Sequence, residues 1–196
     1  MAALKRLAFA LVLLAAPAAG FAAAPPEVGQ FAPIQWTAAP PIKLDVSQLQ
    51  IVNQYVASNT PPHIEASVPR TLLDAADHWA QQRLLPSGPN GTARLVITDA
   101  SIVEVPIQTQ PGATPPVSPT ARFDAHIAVR LEFLRPDGTS RGNVTAEAKA
   151  TRSITNDLAG PDIARQQYLL VADTLRSLNV VFDSAIHRQL ASVILP

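Results

Sequence analysis

Arg122-Phe-Asp-Ala-His-Ile-Ala-Val-Arg-Leu-Glu-Phe133 is the stretch whose reading decides the fold. Phe123, Ala125, Ile127, Val129, Leu131 and Phe133 alternate with Arg122, Asp124, His126, Ala128, Arg130 and Glu132. That period of two describes a strand with one buried face and one wet face. Downstream, Pro136-Asp-Gly138 is a turn whose glycine is free to take positive φ. The returning strand carries Val144, Ala146, Ala148 and Ala150 on one face and Thr145, Glu147, Lys149 and Thr151 on the other. Small side chains in that row leave room for a helix to approach the sheet, and the last helix is expected there.

Upstream, Arg94 to Ile107 reads as another strand, with Leu95, Ile97, Val103, Val105 and Ile107 on one face. Asp99 and Ser101 interrupt that face, so Thr98-Asp-Ala-Ser101 predicts a bulge or bend. Residues 108–120 hold four prolines and a glycine and read as a long exposed loop. Before them, Leu72, Leu73, Ala76, Trp79, Ala80 and Leu84 recur at helical spacing, while Asp74, Asp77, Gln81 and Gln82 are assigned to water. Ser67 is the expected N-cap, with Pro69 in the first turn, and the helix is expected to end near Leu85, before Pro86–Gly91. Ile42-Lys-Leu-Asp-Val46 alternates strictly and is the expected first strand; Leu49–Tyr55 either extends it or pairs beside it.

The closing helix opens at Gly160-Pro-Asp162. Val171, Leu175, Leu178, Phe182, Ile186, Leu190 and Val193 run down one stripe of it. About 30 residues give roughly 45 Å, so a bend near Asn179 or an overhanging end is expected. The order is β-α-β-β-β-α. An antiparallel sheet of about four strands, with a short and a long helix on one face, is an α+β two-layer sandwich.

The N-terminus supplies the setting. Lys5 and Arg6, the apolar run Leu7–Ala16 and the small residues Gly20 and Ala22 have the three parts of a secretory signal peptide, with cleavage expected after Ala22. The run is too short to span a bilayer. Residues 23–41 form a Pro/Ala-rich leader, and 42–196 form a single α+β domain. Removing residues 1–22 leaves 174 residues with a formal net charge of −2, which gives no attractive field for nucleic acid. The chain has no cysteine, hence no disulfide framework and no lipid-anchoring thiol. The expected product is a soluble periplasmic protein with no integral membrane segment.

The segments Asp74-Ala-Ala-Asp-His-Trp-Ala80, Arg94–Glu104 and Phe123–Phe133 followed by Asp137-Gly138, taken in this order behind an export signal, resemble small Gram-negative envelope proteins. The families are the ABC-transport auxiliary lipoproteins and the LPS-assembly lipoproteins; this chain departs from both in lacking their lipobox cysteine. The resemblance covers residues 42–194 as a pattern of elements. It implies a non-enzymatic binding or assembly module facing the periplasm, with an envelope protein or transport component as partner.

Few residues invite chemistry. His63, His78, His126 and His187 lie on different elements with no ligand spacing, so no metal site is expected. No glycine-rich phosphate loop follows a strand, so no cofactor is expected, and no nucleophile elbow supports catalytic residues. The candidates for binding a ligand or partner are Phe31, Ile34 and Trp36 in the leader, Trp79 on the helix stripe, and Asp99 and Ser101 on the strand. The leader aromatics are read as docking on the domain or on a partner, and as shielding the Ile42–Val46 edge or yielding it to a partner strand. The Trp79 indole needs an acceptor, with Asp99 or a strand carbonyl as candidates. Arg122, Arg130, Arg141 and Arg152 are assigned to outward positions, where Glu132 and Glu147 can pair with some of them. The alternative functions are a carrier of a small apolar ligand held between sheet and long helix, and a small hydrolase built on Asp99, Ser101 and a histidine.

Overall fold

The computed structural model describes residues 31–36, 40–108 and 117–196. The signal-peptide reading, the first part of the leader and the middle of the Pro-rich loop fall outside the described residues.

The long alternating segments form β4 (Thr92–Pro106), β5 (Pro119–Leu134) and β6 (Ser140–Thr155), a continuous antiparallel meander. Gly138 takes φ +82° in the turn between β5 and β6, as its place after Pro136-Asp137 requires. The α+β sandwich is the observed architecture: a four-stranded sheet in the order β2-β4-β5-β6, with the short helix α1 (Leu72–Arg83) and the long helix α2 (Gly160–Gln189) against it.

The first strand departs from expectation. It breaks into β1 (Ile42–Leu44) and β2 (Gln48–Asn53), and both halves pair in parallel across α1. β2 joins the main sheet beside β4, while β1 leaves it and pairs with β3 (Leu84–Pro86). Leu84 and Leu85, expected at the end of the helix, therefore belong with Pro86 to a strand, and α1 stops at Arg83. The close approach at the break depends on Gly88, whose N–H donates to the Val46 carbonyl (2.9 Å). A Cβ at Gly88 would lie 2.6 Å from the Asp45 carbonyl carbon, so only glycine fits. The other side of β1 is taken by the C-terminal tail. Asp45 N donates to Val193 O and Leu195 N to Lys43 O, so the expected open edge at Ile42–Val46 does not exist.

The bulge lies at Thr98, where the register slips between Ile97↔Val129 and Asp99↔Ala128. One extra residue reverses the parity of everything after it. Leu95 and Ile97 face the core, but beyond Thr98 it is Ala100 and Ile102 that do so. Val103 and Val105, expected inside, turn away from the core, and so do Asp99 and Ser101. The free side of β4 past the bulge is covered by residues 62–65, with Ile64 N donating to Ile102 O (3.0 Å) and Glu104 N to Pro62 O (2.8 Å).

α1 is capped by Thr71, whose hydroxyl accepts from Asp74 N (3.1 Å). Ser67, the expected cap, instead ends a 3₁₀ turn at Glu65–Ser67. α2 runs through Asn179 without interruption, packed chiefly over β6. Val144, Ala146 and Ala148 are buried beneath it, as the small-residue row predicts. The sixteen residues of β5 or β6 reach roughly 53 Å, longer than the roughly 45 Å of α2. Val171, Leu175, Leu178, Phe182, Ile186, Leu190 and Val193 are all buried and meet Phe123, Ile127, Val129, Leu131 and Phe133 in one cluster. Among the described residues, no helix is long and apolar enough to cross a membrane.

Candidate partner-binding surfaces

Residues 31–36 of the leader lie on the helical layer, away from the strand edge assigned to them. Phe31 stacks on Tyr168 of α2, ring centroids 5.0 Å apart. The Tyr168 hydroxyl donates to Ala32 O (3.1 Å), and Arg70 Nη2 donates to Phe31 O (3.3 Å). At the other end, Trp36 N donates to Gln82 Oε1 of α1 (2.9 Å). Ile34 and Trp36 pack against the core cluster, so all three leader residues dock on the domain. Most of these polar contacts use the leader's main chain. The indole N–H of Trp36 is buried without a hydrogen-bond partner among the described residues. Gln82 and Tyr168 are the residues sequence reasoning missed. Gln82, expected to face water, is half-buried beneath the leader.

Trp79 is wholly buried and sits edge-on to Phe182, with centroids 5.2 Å apart and an interplanar angle of 88°. Its indole donates to Asn179 Oδ1 (3.0 Å), neither to Asp99 nor to a strand carbonyl. The same oxygen accepts from Arg83 Nε (2.8 Å), and Arg83 also reaches Asp183 (3.1 Å) and the Pro40 carbonyl. Arg83 is only 2 % exposed. An arginine four residues after Trp79, on the same helix face, was the available signal for this buried network. A cleft of about 490 Å³ opens beside it, bordered by Lys43, Asp183 and His187.

Asp99 and Ser101 come together on the outward sheet face just past the bulge, where Asp99 Oδ1 accepts from Ser101 N (2.9 Å). His126 lies opposite Ser101 in the β4–β5 register. Its Nδ1 is 3.5 Å from Asp99 Oδ2 and its Nε2 is 3.3 Å from Glu147 Oε2. Both ring nitrogens thus face carboxylates, and neither is left to take a proton from the Ser101 hydroxyl. The arginines divide differently from the sequence assignment. Arg130 shares Glu132 with Arg94, and Arg122 pairs with Asp124 on its own strand. Arg152 points toward α2, bonding Asp173 (2.5 Å) and Gln166 (2.9 Å), because its even number places it on the Val144 face.

A third cluster was not read from sequence. Glu65 is buried, and its Oε1 accepts from the Tyr55 hydroxyl (2.6 Å) and Ile102 N (3.1 Å), with His63 Nδ1 at 2.8 Å. Burial pushes the Glu65 carboxyl up, but the bonds from Tyr55, His63 and Ile102 outweigh it and hold the group below its ordinary value. Burial, followed by the Glu65 hydrogen bond and charge, drives the Tyr55 hydroxyl above its ordinary value. The cluster ties the 62–65 segment to β4 just past the bulge.

No family model and no curated protein matches the chain. Among solved structures, the chain is similar to the rare lipoprotein B of Shewanella oneidensis, at 12% identity and a TM-score of 0.38, over 70% of this chain and 92% of that one.

Proposed function

We propose that the protein is a non-enzymatic accessory module of the bacterial cell envelope, exported to the periplasm, that receives an extended segment of a partner on the helical layer where its own leader lies. The observation that carries this reading is the docked leader. An extended peptide is held there by an aromatic stack and by main-chain hydrogen bonds that another extended peptide can make. Among the described residues the indole N–H of Trp36 has no acceptor, and a buried donor left so costs roughly 1–3 kcal/mol. A partner segment supplying that acceptor would have the advantage over the leader. Phe31, Ile34 and Trp36 are then the built-in competitor, and Tyr168 and Gln82 the receiving side chains.

The other readings find less support. A carrier needs room between sheet and long helix, and there Ile127, Leu131, Phe133, Leu175 and Phe182 fill the space. A hydrolase at Asp99 and Ser101 needs a histidine nitrogen free for the hydroxyl, and His126 offers none.

The test compares the chain starting at Ala23 with one starting at Pro40. A labelled synthetic peptide of residues 27–39 should bind the shortened protein saturably. It should bind the longer one at least tenfold more weakly, because the tethered copy competes. Tyr168→Ala in the shortened protein should weaken the peptide by roughly threefold to tenfold, the worth of one aromatic stack. Peptide binding that is absent, or indifferent to Tyr168, would contradict the docking role. Turnover of a generic ester or peptide substrate by the purified protein would contradict the non-enzymatic reading.

A further inference from the structure

Among the described strands, β6 is the longest at a sheet edge. Among the described residues it has a ladder partner on one side only, β5, along fifteen of its sixteen residues. The Ile154 carbonyl faces β5, accepting from Thr120 Oγ1 (3.2 Å). β6 keeps an unbroken register from Gly142 to Ile154, so even-numbered residues turn their backbone groups to β5. The odd-numbered ones, Asn143 through Ser153, present theirs at the open edge. No proline interrupts residues 140–155. Between Asn143 and Ser153 the charges are Glu147 and Lys149 on the outward face and Arg152, turned inward to Asp173; of these, Glu147 and Lys149 would have to be matched by whatever pairs with the edge.

The side chains along this edge read the same from both ends. Around Ala148, the outward residues are Asn143, Thr145 and Glu147 on one side and Lys149, Thr151 and Ser153 on the other, all exposed. We propose that β6 pairs antiparallel with β6 of a second copy of this chain, about a two-fold axis at Ala148, making one continuous eight-stranded sheet. In that register Glu147 faces Lys149 of the second copy and Lys149 faces its Glu147. Thr145 meets Thr151, Asn143 meets Ser153, Ala146 meets Ala150, and Ala148 meets itself. The arrangement is self-complementary, as an isologous interface must be.

Charge selects this register over its neighbours. Side chains directly opposite must share a face, so the axis can move only by whole residues. An axis at Glu147 sets two carboxylates against each other, and one at Lys149 sets two ammonium groups against each other. Opposite charges across strands stabilise and like charges destabilise. The helical side agrees. Val181 of α2 borders the edge beside Thr145, Ala146 and Glu147 and is 44% exposed, and the adjacent Val180 is 64% exposed. A second copy's Lys149–Ala150 segment would lie over Val181 and cover it. The seam uses neither the leader nor the residues that hold it.

Sedimentation equilibrium on the chain starting at Ala23 tests the proposal, with charge-swapped variants. The unaltered protein should be a dimer in the micromolar range. Glu147→Lys and Lys149→Glu should each weaken dimerisation at least tenfold, since each creates two like-charge pairs across the axis. Mixing these two variants in equal amounts should restore dimerisation to within about threefold, because every pair in the mixed dimer is again opposite. This rescue reads folding and pairing together, so a variant that merely fails to fold gives a different result. A monomeric unaltered protein would overturn the proposal. So would a dimer indifferent to both swaps, or a mixture no more dimeric than its components.

Discussion

Phe182→Ala should destabilise the protein by about 3–5 kcal/mol, read as a shift of the urea midpoint at unchanged slope. Phe182 is wholly buried at the centre of the α2 stripe, where three layers of contact meet. Its ring takes the edge of Trp79 on α1 and lies in the same cluster as Leu131 and Phe133 of β5. Removing the ring forfeits burial from both helices and leaves a cavity, because Asn179 keeps Trp79 from moving into the space. Leu131→Ala, on the sheet side of the same contact, should cost about 2–5 kcal/mol. Arg130→Ala, one residue away on the wet face, should cost less than about 1 kcal/mol, since its carboxylate partner Glu132 retains Arg94. Equal losses at all three positions would contradict the assigned face of β5.

The second large effect lies at Glu65. Glu65→Ala should cost about 3 kcal/mol at neutral pH, because it strands the Ile102 amide and the Tyr55 hydroxyl beside a void. The effect should depend on pH in a definite direction. The folded carboxyl is held below its ordinary value, whereas in the unfolded chain it titrates near about 4.3. Its contribution is therefore complete above that pH and is lost as the pH falls through the folded value. Urea titrations of the unaltered protein and of Glu65→Gln should diverge at neutral pH and converge as the solution is acidified below about pH 4. A difference that stays constant across that window would mean that the carboxylate charge contributes nothing.

What was legible in the sequence follows from periodicity. β5, β6 and α2 each repeat one pattern over enough residues that their faces could be assigned, and the alanine row of β6 announced the helix above it. The errors cluster where one residue changes the phase or where pairing is non-local. Thr98 alone reverses the parity of β4, which carries Val103 and Val105 off the core face that plain alternation assigns them and turns Asp99 and Ser101 outward, as the bulge expected at Thr98–Ser101 implies. The break between Leu44 and Gln48 depends on Gly88, some forty residues away, and no local pattern carries that information. β3 was absorbed into α1 because Leu84 continues the helical stripe. The C-terminal tail that closes β1 made the expected partner edge unavailable. The candidate residues fared unevenly for the same reason. Phe31, Ile34 and Trp36 were recognisable as large apolar groups in a polar leader. Their seat, at Tyr168 and Gln82, is defined by helix packing. Glu65 escaped notice because its partners Tyr55, His63 and Ile102 converge only once the 62–65 segment lies along β4.

Export matters most, since the binding role has meaning only for a protein that reaches the envelope. The direct measurement is the intact mass of the protein recovered from the periplasmic fraction of a Gram-negative host expressing the chain from Met1. The expected result is a periplasmic species beginning at Ala23, with the docked Phe31–Trp36 segment retained. A cytosolic product carrying residues 1–22 uncleaved would contradict it.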